Sequence, residues 1–74
     1  MWRKKAPTDS KIASRVSKLS RTDLVAWADQ AIYSTGRCLT AYQRDPLLEY
    51  LEEARSGAAV LAAIIDEIQR RDSP

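Results

Sequence analysis

The stretch that decides the fold runs from residue 47 to residue 68 and reads LLEYLEEARSGAAVLAAIIDEI. Apolar and small side chains recur in it at alternating steps of four and three residues, the spacing of one face of an α-helix. A second set, Tyr50, Gly57 and Ile64, follows every seventh residue and widens this face. The pattern is typical of a bundle helix and predicts a helix over residues 46–71. The stepped positions are Leu47, Leu51, Ala54, Ala58, Leu61, Ile65 and Ile68.

The residues before this stretch predict a turn and a second long helix, over residues 21–43. Asp45 suits a helix N-cap and Pro46 suits the first helical position, where its missing N–H costs nothing. Ser20, three residues before Asp23, predicts the N-terminal cap of the earlier helix. Gly36 either interrupts that helix or marks the close approach of another backbone, and the continuing stripe favours close approach. The stripe comprises Leu24, Ala28, Ala31, Ile32, Thr35, Cys38, Leu39 and Tyr42.

A tight turn at Asp45-Pro46 makes the two long helices antiparallel neighbours. The expected register places Thr35 near Ala54 and Ala31 near Ala58, so small residues allow close packing at the middle of the seam. The fold class is therefore all-α, with an antiparallel helical hairpin as its centre.

The N-terminal segment predicts a flexible basic tail, residues 1–8, and a short amphipathic helix, residues 9–19. Ile12, Val16 and Leu19 recur at helical spacing, with basic side chains away from them. A helix of this length is marginal alone and needs a surface to dock on. Residues 9–74 are accordingly treated as a single helical domain.

Two features of the hairpin predict association. A lone hairpin buries only one side of each stripe, and no charged side chain occurs between Arg55 and Asp66 on any face of the last helix. The alternative is that alanine is simply a good exposed helix former. We expect a homodimer that forms a four-helix bundle, or a complex with another helical protein.

The composition argues against an enzyme. The chain has no histidine, the commonest general base and metal ligand. Cys38 lies on the seam and reads as a buried structural thiol, and Glu49, Glu52 and Glu53 read as a solvated face. No phosphate loop, zinc spacing or serine-centred motif is present. We expect no catalysis, cofactor, metal or small-molecule substrate.

A single cysteine excludes an internal disulfide and favours a reducing, cytoplasmic location. The longest uncharged run, residues 56–65, is ten residues and is too short to cross a bilayer.

Charge divides the chain into a basic arm and an acidic body. Residues 1–21 carry seven basic side chains and one acidic one, whereas the remainder carries five basic and nine acidic ones. The arm is a candidate for phosphate contacts, with a membrane surface disfavoured. A solubilising or partner-docking tail, or pairing with the acidic body, are the other interpretations. The candidate phosphate-contacting residues are Arg3, Lys4, Lys5, Lys11, Arg15 and Lys18.

Two aromatic side chains, Trp27 and Tyr33, are not explained by the hairpin stripe. One interpretation is that Trp27 borders the core of the dimer and Tyr33 is an ordinary exposed tyrosine. The other is that both belong to a recognition patch. The candidate patch comprises Trp27, Tyr33, Ala59, Val60 and Ala63. Taken together, the sequence predicts a non-enzymatic interaction or scaffold module. The alternative is a nucleic-acid-associated dimer whose two basic arms grip phosphates.

Overall fold

The computed structural model describes residues 7–73, with side chains from residue 11 onward, and these residues form three helices and no strand. Helix α1 covers Pro7–Lys18, α2 covers Arg21–Arg44 and α3 covers Leu48–Asp72. The all-helical prediction is confirmed, and α2 and α3 pack against each other. Helix α1 begins at Pro7, so the last two residues of the predicted tail are helical; residues 1–6 lie outside the described part of the chain.

The start of α2 is capped as expected. The backbone N–H of Asp23 donates to Ser20 Oγ at 3.1 Å, and Ser20 has an extended backbone. This bond satisfies one of the N–H groups that the first helical turn leaves unpaired. The helix then continues without interruption through Gly36 to Arg44.

The turn differs from the prediction that Asp45 and Pro46 start the last helix. The Asp45 N–H donates to the Ala41 carbonyl at 2.8 Å, so Asp45 closes α2 instead of capping α3. Proline disfavours helical backbone at the residue before it, which fits the extended conformation of Asp45. Leu47 is the N-cap of α3 and provides no side-chain cap, so the helix begins at Leu48.

The buried face of α3 is rotated from the predicted stripe toward the residues that flank it. Ile64 is almost fully buried, whereas Ile65, one of the predicted stripe residues, is exposed. Gly57, and not Ala58, lies against α2: a Cβ at Gly57 would overlap Thr35 Oγ1 and would lie 3.4 Å from the Ala31 carbonyl oxygen. Close packing at the middle of the seam therefore occurs at Gly57.

The close approach of another backbone that the stripe suggests at Gly36 does not occur within one chain. A Cβ added there would meet no atom within 4 Å. No described part of the chain approaches α2 at this position.

Helix α1 covers one side of the hairpin at its open end, where α2 begins and α3 ends. Val16 is buried against Leu24 and Ile64, which form the centre of the core. Side chains that pack around this centre are Ile12, Leu19, Trp27, Ala28, Val60, Ala63 and Ile68. The predicted need of α1 for a docking surface is thus met by the hairpin itself.

Polar contacts from the end of α3 hold α1 in place. Arg71 donates from one nitrogen to the carbonyls of Val16, at 3.2 Å, and Leu19, at 2.7 Å. The buried Glu67 carboxylate accepts from Arg71 Nε at 2.7 Å and from Arg70 at 2.6 and 3.2 Å. Arg71 thus supplies donors to carbonyls at the C-terminal end of α1, which no further helical turn satisfies.

An ion pair closes the open end of the hairpin. The two terminal guanidinium nitrogens of Arg21, the first residue of α2, donate to the carboxylate of Asp72, the last residue of α3, at 3.2 and 2.7 Å. The two side chains are more than half exposed, so this pair aligns the ends of the helices more than it stabilises the fold.

Candidate interaction surfaces

The side of the hairpin opposite α1 carries large apolar side chains that no described residue covers. Ile32 is 57 % exposed, Ile65 54 % and Leu39 50 %. With Leu24 and Ile64 pointing inward, helical spacing places these side chains on the same side of α2 and α3. We call this surface the apolar face; it comprises Val25, Ile32 and Leu39 of α2 and Leu47, Ala58 and Ile65 of α3.

The apolar face is long and carries no charged side chain at its centre. Val25 and Leu39 are fourteen residues apart on one helix, which corresponds to about 21 Å along its axis. Monomeric proteins rarely expose a continuous apolar surface of this kind without a function for it. This face is therefore the strongest candidate for an interaction surface among residues 11–73.

The residues predicted as core or interface divide into three groups according to their burial. Leu24, Ala31 and Ala54 are buried. Ala28, Thr35, Cys38, Tyr42, Leu51, Leu61 and Ile68 are half-buried along the seam. Ile32, Leu39, Leu47, Ala58 and Ile65 are exposed, and all five belong to the apolar face. The predicted stripe is wider than the contact between α2 and α3, and the packing within one chain leaves part of it exposed.

The five residues of the predicted recognition patch lie in different surroundings. Trp27, Val60 and Ala63 pack against the core that α1 covers, and Ala59 is half-buried. Tyr33 is 65 % exposed, and its hydroxyl accepts a 3.4 Å hydrogen bond from Arg37 of the same helix. Trp27 borders the core and carries Arg15 of α1 over its ring, a contact that the hairpin pattern alone does not reveal.

A shallow groove continues from α1 along the same side of the hairpin. Trp27 and Val60 form its end next to α1, and Cys38, Glu53 and Ser56 lie further toward the turn. The Cys38 thiol donates to Glu53 Oε1 at 3.6 Å. Desolvation, followed by this hydrogen bond and the nearby Glu53 charge, raises the pKa of the thiol above its ordinary value. The thiol form is therefore favoured at neutral pH, the opposite of an activated nucleophile.

Three candidate phosphate-contacting residues form a basic surface on α1. Lys11, Arg15 and Lys18 are exposed and line one depression together with Ser14 and Leu19. The guanidinium of Arg15 lies 4.6 Å from the centre of the Trp27 ring, which holds this cation at the edge of the groove. Arg3, Lys4 and Lys5 lie outside the described residues.

The acidic cluster lies away from this basic surface. Glu49, Glu52 and Glu53 are exposed near the turn, whereas α1 packs at the open end. The suggested pairing between the basic arm and these carboxylates is therefore not made by the described part of α1. Among the side chains of residues 11–73, no group of three or more acidic, cysteine or histidine residues could hold a metal ion.

Only part of the contact network that fixes α1 is visible in the sequence. Glu67 and Arg71 are four residues apart, which is a favourable helical pair. The additional contacts of Arg71 with Val16 and Leu19 depend on how α1 folds back, which a one-dimensional pattern does not contain.

In the described part of the chain, no helix combines the length and apolar character needed to cross a membrane. Comparison of the chain with protein-family models, curated proteins and solved structures gave no match in any of the three.

Proposed function

We propose that the protein is a non-enzymatic interaction module whose hairpin pairs with a second copy through the apolar face. The uncovered row of half-exposed side chains at Val25, Ile32, Leu39 and Ile65 carries this proposal. Pairing two such faces would give a four-helix bundle in which each stripe is buried from both sides.

A second copy is a better partner for this face than an arbitrary helical protein. The centre of the face has no charge, so two copies meet without repulsion and no complementary charge is required. A two-fold axis that lies in the plane between the two faces would bring each apolar residue against the same set on the partner. The α1 helix lies on the other side of the hairpin and leaves this surface free.

A charge placed on the apolar face should dissociate the dimer. Leu39→Glu would bury a carboxylate without a partner, a cost that association does not recover. Leu48→Glu is the matched control because Leu48 is 70 % exposed and helical spacing places it away from the face. Sedimentation should give 8.3 kDa for Leu39→Glu and 16.6 kDa for the control, where the chain mass is 8.3 kDa.

Circular dichroism of both variants verifies that the helices remain. If Leu39→Glu and Leu48→Glu have the same mass, the apolar face is not the association surface and the proposal fails.

A further inference from the structure

The dimer proposed above would display its two basic α1 surfaces in opposite directions. Helix α1 packs on one side of the hairpin, through Val16, and the apolar face is the other side. Joining two apolar faces stacks the layers in the order α1, hairpin, hairpin, α1. Adjacent helical layers are roughly 8–10 Å apart, so the two α1 axes would be about 25–30 Å apart.

The basic surface itself fits a row of phosphates. Lys11, Arg15 and Lys18 are on one side of α1, and the rise per residue places the outer two about 10 Å apart. Successive phosphates of one strand advance by roughly 3.4 Å along a duplex, so this distance corresponds to about three of them. The ion pairs formed among residues 11–73 use Arg21, Arg70 and Arg71, and none uses these three cations.

The packing of α1 favours a polyanion over a membrane. An interfacial helix inserts an apolar side into the lipid, but Ile12, Val16 and Leu19 already pack in the hairpin core. The side chain between the cations, Ser14, is short and polar. At this depression the described side chains of α1 therefore offer mainly charge and hydrogen-bond donors, and the one apolar side chain that lines it, Leu19, is half-buried in the core.

We propose that each α1 surface binds the phosphate backbone of a separate nucleic-acid duplex, so that one dimer bridges two duplexes. This inference rests on the proposed dimer. It makes the expectation that two basic arms grip phosphates more specific: the whole bundle would lie between the two α1 surfaces, so each would contact a duplex of its own.

A bridging assay tests the proposal with two short DNA duplexes, one biotinylated and one fluorescent. The full chain should retain the fluorescent duplex on streptavidin beads only when the biotinylated duplex is present. Three phosphate contacts per surface predict that affinity for one duplex falls by about 40-fold between 50 and 200 mM salt. Retention should be lost in the triple variant Lys11→Gln, Arg15→Gln and Lys18→Gln.

The control triple variant removes the same charge elsewhere, from the exposed Arg37, Arg44 and Arg55 of the hairpin. It should bridge like the unmodified protein. Leu39→Glu should bind one duplex without bridging.

The proposal is overturned if a 16.6 kDa species binds only one duplex, or if the α1 variant and the control variant bridge equally. It is also overturned if polyglutamate or anionic vesicles bind to the protein more tightly than DNA does. A different result would locate the failure in the proposed dimer: the unmodified chain is an 8.3 kDa monomer, and it binds one duplex without bridging two.

Discussion

The two glycines of the chain occupy opposite environments. A side chain at Gly57 would meet Thr35 and the Ala31 carbonyl, while one at Gly36 would meet nothing within 4 Å. The sequence could show that both residues lie along the hairpin stripes, but the rotation of α3 decides which one is at the contact. Glycine at position 57 therefore allows close packing, and glycine at position 36 only weakens the helix.

Alanine substitutions at the two glycines should consequently change stability in opposite directions. Gly57→Ala should lower the free energy of unfolding by about 1–3 kcal/mol because the new methyl overpacks the seam. Gly36→Ala should raise it by about 0.5–1 kcal/mol through helix propensity. Urea denaturation at one fixed protein concentration measures both changes. Adding Thr35→Ala to Gly57→Ala should recover part of the loss, and failure to do so would show that the contact with Thr35 is not responsible.

At the scale of helices, the lengths of α2 and α3 follow from their repeats, whereas the position of α1 does not. The four- and three-residue steps continue through Gly36, and Ser20 marks where α2 begins. The start of α3 was predicted too early because Pro46 can follow one helix as readily as it can begin another. The docking of α1 depends on Arg71 reaching carbonyls more than fifty residues away, for which the sequence has no local signal.

The attachment of α1 should depend on the charge of Glu67. Hydrogen bonds from Arg70 and then Arg71 hold the pKa of this carboxyl below its ordinary value of 4.5. A pKa that is lower in the folded state gives a stabilisation that is complete above pH 4.5 and is lost as pH falls through the folded value. Acidification should therefore loosen α1 while the seam between α2 and α3 persists.

Amide hydrogen exchange detects this selective loosening. At neutral pH, Glu67→Gln should increase exchange in α1 and leave the seam protected, whereas Asp66→Asn, at an exposed neighbour, should change neither. Equal exchange in α1 for both variants would contradict the role of Glu67 in positioning Arg71.

At the scale of the whole molecule, the two sides of the hairpin have different uses. One side is covered at its open end by α1, and the other exposes the apolar face. The sequence predicted a stripe too wide for a single hairpin, but it did not separate the part that contacts α2 from the part left uncovered. The structure distinguishes the two parts at Ile64 and Ile65, because these adjacent residues are buried and exposed respectively.

The mass of the unmodified chain in solution, measured by sedimentation over a range of concentrations, tests the central claim most directly. The proposed pairing of two apolar faces predicts a helical species of 16.6 kDa, which dissociates only on dilution. A species that stays at 8.3 kDa at every concentration, with its helices intact, would contradict the dimer.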